Sequence, residues 1–267
     1  MKKHWLYKTL FILALLLLCT LGLIGLVHRC KDATYVSDTL NIQLEHIEDK
    51  AQQMEYWIAT VQVQDMQQVQ AAFANDTFPG KDKQFVSTIA RQHDAILAIN
   101  GAATGFNDVG IVIRNGIIYR DEVFDCAPLE MRQDGTLFIG EYGKRTASQM
   151  LEDGTVHTWD FSPDLIVDGK VANYAAQPWF STDRAPRTLI GQRTPYEYII
   201  IVADGRRPNC PGMTYQEAVD IYQALGCTWA YALDGGGSTT LYFKGKVVNH
   251  PSRFIQRPYS DILYFVE

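Results

Sequence analysis

The residues best suited to chemistry lie in one glycine-rich segment, Leu233-Asp234-Gly235-Gly236-Gly237-Ser238. Consecutive glycines are entropically unfavourable, so a packed domain retains them where the backbone needs unusual dihedral angles or a close approach to another group. Successive amides in such a turn can form a concave nest for an anion. An ordinary hairpin turn is the alternative, because three glycines alone do not indicate a ligand.

Two familiar glycine-rich motifs do not fit this segment. A nucleotide-binding phosphate loop ends in Lys-Ser or Lys-Thr and leads into a helix. A nucleophile elbow needs Gly-x-Ser-x-Gly between a strand and a helix. Ser238 has no glycine two residues later, and β-branched and aromatic residues follow it. We therefore expect Ser238 to donate its hydroxyl to a bound oxygen and not to act as a nucleophile.

Asp204 and Asp234 form a second pattern, because each ends an apolar run and each precedes a glycine. If both runs are strands of one sheet and point the same way, the two carboxylates meet at one edge. Paired carboxylates serve acid–base and glycosyl chemistry. Alternatively, each aspartate only caps its own turn, which is common at Asp-Gly. Such carboxylates would also suit a divalent cation such as calcium, although no ligand spacing indicates one.

Two arginines near these turns are candidates for binding an oxyanion. Arg187 occurs in the segment PRTLIG, and Arg206 occurs in DGR. A guanidinium can hold a phosphate through two parallel hydrogen bonds, although either arginine could instead be structural. The six histidines show no metal-ligand spacing, and only His250 is retained as a weak candidate.

The hydrophobic pattern predicts the elements that must position these residues. In the first two thirds of the chain it predicts strands over 40–44 and 57–63, a helix over 85–93, a buried strand over 95–99, and turns at Asn115-Gly116 and Asp168-Gly169. In the last third it predicts a strand over 198–203, a helix opened by the capping box 214–217 and ended by Gly226, a strand over 228–233, and a returning pair over 239–243 and 246–248. Many strands joined largely by hairpins predict an α+β fold with mixed or antiparallel sheets and a few packed helices.

The net charge of the chain and its apolar N-terminal stretch restrict the binding partners and the cellular location that we expect. The formal net charge is −6 and no block of lysine and arginine suggests nucleic acid, so anions must be recognised by local arginines or amides. Residues 9–27 are uncharged and long enough to cross a membrane. We therefore expect a signal-anchor or transmembrane segment over 1–31 and a single extracytoplasmic domain over 32–267. A cleaved signal peptide and a buried core helix are the alternatives.

Cysteine usage leaves two interpretations open. Cys210 and Cys227 flank the helix predicted after residue 214, so a disulfide between them is one interpretation and two buried free thiols are the other. The chain contains no CxxC pair, so a zinc site is not expected.

In combination, these segments resemble the phosphodiester glycosidase family. The likeness runs from about Ala95 to the C-terminus. Its matching segments are AING (98–101), GIVIRNG (110–116), PRTLIG (186–191), DGR (204–206), the capped helix, LDGGGST (233–239), NHPS (249–252) and QRP (256–258). The chain departs from the family's pattern after Asn100-Gly101, where AATG (102–105) precedes Phe106. Because that loop is expected to line the pocket, the substrate can differ from those of relatives.

The resemblance implies a hydrolase that cleaves the glycosyl–phosphate bond of a carbohydrate phosphodiester, here in a cell-surface or exopolysaccharide-type glycan. Asp234 and Asp204 are then the catalytic candidates. The candidates for binding substrate or phosphate are Asn100, Arg187, Arg206, Gly235, Gly236, Gly237, Ser238 and Arg257. A non-catalytic binder of anionic cell-wall or capsular polymers and a phosphodiesterase that cleaves the P–O bond are the alternative functions.

Overall fold

The computed structural model describes residues 27–29, 33–78, 82–102, 104–105, 108–123, 125–177 and 180–267. The predicted membrane segment over 1–31 falls almost entirely outside the described residues. Within the part of the chain that is described, no helix has the length and apolar character that a membrane span requires.

Strands are the main regular secondary structure of the described chain. The strands are, in chain order, β1 Val27–Arg29, β2 Ala33–Val36, β3 Leu40–Asp49, β4 Met54–Val63, β5 Val69–Phe73, β6 Leu97–Asn100, β7 Gly110–Arg114, β8 Ile117–Glu122, β9 Leu129–Arg132, β10 Leu137–Ile139, β11 Thr155–Trp159, β12 Asp164–Val167, β13 Lys170–Val171, β14 Arg187–Thr194, β15 Glu197–Ala203, β16 Trp229–Leu233, β17 Leu241–Phe243, β18 Lys246–Val247 and β19 Asp261–Phe265. The α-helices are α1 Val86–Gln92, α2 Ala147–Glu152 and α3 Tyr215–Ala224.

These strands form sheets in which the described pairs are antiparallel. The largest sheet has nine strands in the order β1-β3-β4-β15-β14-β16-β12-β13, with β2 also paired to β3. A second sheet has five strands in the order β18-β17-β6-β19-β5. A three-stranded sheet β10-β9-β11 and the hairpin β7–β8 complete the set. The predicted α+β class is therefore confirmed.

The two larger sheets pack face to face because their strands alternate apolar side chains between two sides. In β15, Tyr198 and Ile200 share one core cluster with Leu97 of β6. The intervening Ile199 faces the other way and packs in the cluster that contains α3. Ala98 of β6 likewise faces away, toward α1. The layers therefore follow the order α3, nine-stranded sheet, five-stranded sheet, α1.

Local signals in the sequence explain several element boundaries. Thr214 and Glu217 form the predicted capping box at the start of α3. Gly226, just beyond that helix, adopts a left-handed φ of +74°, as expected at a helix end. Asn115 and Gly116 both have positive φ at the turn of the β7–β8 hairpin. Cys210 and Cys227 are buried free thiols, so the disulfide interpretation is wrong.

Candidate functional site

Asp204 and Asp234 leave the nine-stranded sheet at the same edge. Strands β15 and β16 both pair antiparallel with β14, so they run in the same direction, which is the condition that the sequence analysis set for the two carboxylates to meet. At this edge Arg187 pairs with Ala203, and Thr188 pairs with Leu233. Because neighbouring strands lie about 4.8 Å apart, the two strand ends are separated by about 10 Å.

The carboxylate of Asp234 is held by two hydroxyl groups. Ser238 Oγ donates to Asp234 Oδ2 over 2.7 Å, and Tyr259 donates to the same oxygen over 2.9 Å. Burial raises the pKa of Asp234, while these hydrogen bonds and the charge of Arg257 oppose the shift. The structure thus directs the hydroxyl of Ser238 to Asp234, whereas the sequence suggested a bound oxygen as its acceptor.

Asn100, at the end of β6, ties the turn to the five-stranded sheet. Its Nδ2 donates to the carbonyl of Asp234 over 2.6 Å. Its Oδ1 accepts from Thr188 Oγ1 at 2.9 Å and from the backbone amide of Thr240 at 3.1 Å. The side chain has no exposed surface. In this structure Asn100 positions the turn, and its predicted contact with substrate stays a prediction.

The glycines of the turn are needed for close backbone packing. A Cβ on Gly235 would lie 2.7 Å from the carbonyl oxygen of Pro186. Gly236 has a left-handed φ of +60°, and its amide donates to the same carbonyl over 2.8 Å. The amide of Ser238 donates to the carbonyl of Gly235. The amides of Gly236 and Ser238 are therefore engaged within the fold, and the predicted role of Gly235, Gly236 and Gly237 in binding phosphate stays a prediction.

Two arginines flank this turn instead. The guanidinium of Arg206 lies over Gly236, with Nη2 and Nη1 3.0 and 3.1 Å from the position that a Cβ would take. Arg257 approaches Gly237 from another side, with its Cδ 3.8 Å from the equivalent position. Both arginines are exposed, and the turn itself is half-buried. The turn therefore presents positive charge to solvent beside the carboxylate of Asp234.

Arg187, the third predicted anion ligand, is bonded within the fold. Its Nε donates to the carbonyl of Met213 over 3.1 Å, and its Nη2 donates to the carbonyl of Asp183 over 2.8 Å. The guanidinium lies 3.8 Å from the ring centre of Tyr215. Burial lowers the pKa of Arg187. These contacts support the edge from which the turn departs, and a role for Arg187 in phosphate binding stays a prediction.

Asp204 lies in a separate polar cluster that the sequence did not predict. Its carboxylate is inaccessible to solvent and accepts from Arg207 Nη2 at 2.8 Å. It also accepts from the backbone amide of His250 at 2.9 Å and lies 2.8 Å from the ring Nδ1 of the same residue. Burial raises the pKa of Asp204, and Arg207 and His250 oppose the shift. Only the Asp-Gly signal and the retained His250 hinted at this cluster.

Glu55 completes the cluster and bears on the question of a metal. The side-chain ligand atoms of Glu55, Asp204 and His250 lie within 4.8 Å of one another. However, Arg207 Nη2 lies 2.6 Å from Glu55 and 2.8 Å from Asp204. Because this guanidinium already supplies positive charge between the two carboxylates, the geometry favours an ion-pair network over a calcium site.

Comparison with known proteins identifies the family to which this chain belongs. The profile of the phosphodiester glycosidase family matches residues 93–266, which is well over half of the chain. The chain belongs to the phosphodiester glycosidase family. The matched family is named for a glycosidase activity on phosphodiesters, which is the activity class that the motifs indicated. The matched region contains both strand-end aspartates and both flanking arginines.

Individual relatives agree with this assignment. YomE, a protein derived from the SPbeta prophage of Bacillus subtilis (strain 168), is 29% identical over 197 residues. That match covers 70% of this chain but 30% of YomE, so the chain spans less than a third of that relative.

Solved structures share the fold. The catalytic domain of zebrafish N-acetylglucosamine-1-phosphodiester alpha-N-acetylglucosaminidase, auto-inhibited by its pro-peptide, has a TM-score of 0.68 and 22% identity, over 90% of this chain and 87% of that one. A hypothetical protein from Synechocystis has a TM-score of 0.61 and 16% identity, over 88% of this chain and 63% of that one. At these identities the likeness establishes the fold alone.

Proposed function

We propose that this protein hydrolyses the glycosyl–phosphate bond of a sugar-1-phosphodiester. One observation carries the proposal: two exposed arginines, Arg206 and Arg257, flank the turn that carries the half-buried Asp234, and the charge of Arg257 acts on the Asp234 carboxylate. A phosphodiester is an anion joined directly to the reacting sugar carbon. The site therefore offers cationic groups for the phosphate next to an anionic group for the sugar.

The chemistry of the leaving group explains why this arrangement is sufficient. Cleavage of the glycosyl C–O bond releases a phosphate monoester, whose second pKa is about 6. Such a group departs readily without strong help from a general acid. The site must bind the phosphate, stabilise positive charge on the sugar and position a water molecule.

The site residues can be assigned to the first two of these tasks. Arg206 and Arg257 bind the phosphate and keep its charge stabilised as the C–O bond breaks. The ionised carboxylate of Asp234 faces the sugar carbon, where it stabilises the oxocarbenium-like transition state or forms a glycosyl intermediate. Ser238 and Tyr259 hold one carboxylate oxygen in place, so little reorganisation is needed during the reaction.

We further propose that the substrate is a cell-surface or exopolysaccharide-type glycan and that the domain is anchored outside the cytoplasm. The uncharged stretch over residues 9–27 supports the anchor. The zebrafish protein of similar fold is named for a sugar-1-phosphodiester, which supports the substrate class. Protease treatment of intact cells should degrade the domain, and protection of the domain until the membrane is broken would refute the location.

The function is tested with the purified full-length protein in detergent. It is incubated in ¹⁸O-labelled water with N-acetylglucosamine-1-phosphate methyl ester and other sugar-1-phosphate esters, with the corresponding methyl glycosides as controls. We expect the label in the released sugar and no release from the methyl glycosides. Label in the phosphate would indicate a P–O-cleaving phosphodiesterase. Binding without release would indicate a non-catalytic binder.

A further inference from the structure

His250 is fixed to a buried carboxylate through two of its atoms. Its backbone amide and its ring Nδ1 lie 2.9 and 2.8 Å from oxygens of Asp204. Nδ1 also lies 3.4 Å from Glu55 Oε1. Because ionised carboxylates only accept hydrogen bonds, the proton of the neutral imidazole belongs on Nδ1. The lone pair then lies on Nε2.

The free edge of this ring faces solvent. The side chain of His250 is 56% exposed, whereas that of Asp204 is completely buried. Since Nδ1 points to the buried carboxylate, the opposite edge with Nε2 is the accessible one. An imidazole with one nitrogen anchored on a carboxylate and the other open is the arrangement that general bases use.

The surroundings hold this pair in place. Arg207 and Asn249 also bond the carboxylate of Asp204, with Asn249 Nδ2 3.3 Å from Oδ1. The His250 ring lies 5.9 Å from the ring of Trp57. Trp57 in turn stacks on His46, with 4.4 Å between ring centres. The charged or titratable groups that face His250 are therefore Glu55, Asp204, Arg207 and, across Trp57, His46.

The cluster shares its framework with the glycine turn. Asn249 Nδ2 bonds both Asp204 and the carbonyl of Thr239, the residue after Ser238. Arg206 lies two residues after Asp204, and its guanidinium covers Gly236. The ends of β15 and β16 are separated by about 10 Å, so the glycine turn and the cluster lie at the same edge of the sheet.

We propose that His250 is the general base that activates the attacking water, and that Asp204 is its positioning residue. This inference rests on the proposed function and deepens it. Nε2 of His250 takes a proton from water as the water oxygen bonds to the anomeric carbon. The glycosyl C–O bond breaks, and its electron pair leaves with the phosphate monoester. Asp204 and Glu55 stabilise the imidazolium, which then releases its proton to solvent.

The first test compares His250→Gln with His93→Gln, a matched control because His93 also pairs with a carboxylate, that of Asp76, but lies outside the cluster. We expect His250→Gln to lower kcat by about 100-fold or more while KM changes little. We expect the wild-type kcat to fall toward acid pH, and in His250→Gln only the part of that fall due to protonation of Asp234, whose pKa is raised by burial, should remain. His93→Gln should keep both the rate and the pH profile. If His250→Gln keeps more than a third of wild-type kcat and the same acid fall, the proposal is overturned.

The second test separates positioning from folding. ¹⁵N NMR of the wild type should show the proton on Nδ1 and a bare Nε2, and the opposite tautomer would overturn the proposal. Asp204→Asn should move the acid fall in kcat to lower pH, because it removes an anion that stabilises the imidazolium. A change in thermal stability without that movement would instead mean that Asp204 is purely structural.

Failure of the proposed function and failure of the general-base inference give different results. A wild type that releases no sugar from any ester would refute the proposed function, and with it this inference. A wild type that cleaves while His250→Gln cleaves equally well would refute this inference alone. Activity that is lost on chelation with EDTA and restored by a divalent ion would indicate that a metal ion activates the water, and it would also overturn this inference.

Discussion

Asn100 Nδ2 lies 2.6 Å from the carbonyl oxygen of Asp234, and this hydrogen bond joins the two large sheets at the candidate site. Asn100→Asp keeps the shape of the side chain but places a carboxylate oxygen against that carbonyl. We expect the variant to lose about 3 kcal/mol of unfolding free energy, because a buried charge is left facing an acceptor. Urea unfolding followed by circular dichroism measures the loss.

Thr188→Val provides the comparison for Asn100. It removes one donor to Asn100 Oδ1 but leaves the Thr240 amide bonded to that oxygen. We expect a loss of about 1 kcal/mol. If Asn100→Asp loses no more unfolding free energy than Thr188→Val, the hydrogen bond from Asn100 to the Asp234 carbonyl does not hold the turn.

Asp234→Asn should separate activity from stability. The substitution removes the negative charge that, in our proposal, stabilises the positively charged sugar carbon. We therefore expect kcat to fall by at least about 100-fold. Burial raises the pKa of Asp234, which means that ionisation in the folded state is unfavourable. The thermal midpoint at neutral pH should therefore be unchanged or higher. An active variant, or an inactive one with a lower midpoint, would contradict this role.

Gly236→Ala should weaken anion binding through a side-chain clash. The new methyl group would meet the guanidinium of Arg206 at about 3.0 Å and push it from the turn. Gly245→Ala is the matched control, because Gly245 also has positive φ, +90°, but has no neighbour within 4 Å of the new methyl. Both variants should lose about 1 kcal/mol of stability. Only Gly236→Ala should raise the inhibition constant of inorganic phosphate.

Much of this site could be predicted from local signals. The apolar runs that stop at Asp204-Gly205 and Asp234-Gly235 correctly predicted two strand ends, although the sequence left open whether both lie at one edge. Between them, β14 was not predicted, because its segment PRTLIG shows no clean alternation and both faces are buried. The partners of the aspartates were also missed. Asn100 meets Asp234 across 134 residues of sequence, and His250 meets Asp204 across 46.

The role of each residue depends on where its polar atoms point, and composition does not reveal this. PRTLIG drew attention to Arg187, but only the packing of β14 against the segment before α3 shows its guanidinium bonded to the Met213 carbonyl. Three glycines suggested free amides, yet the close approach of Pro186 engages the amide of Gly236. In both cases a contact between distant segments decides the outcome.

Arg206→Gln should weaken binding more than it slows the chemical step. The backbone amide of Arg206 donates to the carbonyl of Pro211, whereas its guanidinium has no ion pair or hydrogen bond within the described part of the chain and is available to a ligand. Hydrogen bonds to charged groups contribute about 1.5–3 kcal/mol, so we expect KM for the substrate to rise about tenfold or more. Arg91→Gln, on the exposed end of α1, is the charge-matched control. Equal effects of both variants would mean that only net charge matters.

Asp160 should make the protein less stable as pH rises from 4 to 7. Its Oδ2 accepts the amide of Ile111, while its Oδ1 is inaccessible and has no hydrogen-bond partner in the described part of the chain. Burial raises the pKa of Asp160 to about 7. Between pH 4 and 7 the folded state therefore keeps a proton that the unfolded state has lost, and the free energy of unfolding falls as pH increases.

Asp160→Asn removes this dependence, because the amide stays neutral and its oxygen can still accept from Ile111. Relative to wild type, the variant should gain about 2 kcal/mol of unfolding free energy between pH 5 and pH 8. His157, whose pKa is lowered to about 3 by burial, makes stability fall as pH drops below about 6.5. The wild type and Asp160→Asn share this effect of His157, so it cancels in the difference between their unfolding free energies. Asp168→Asn, at an exposed turn, is the control, and an equal gain there would refute the assignment to Asp160.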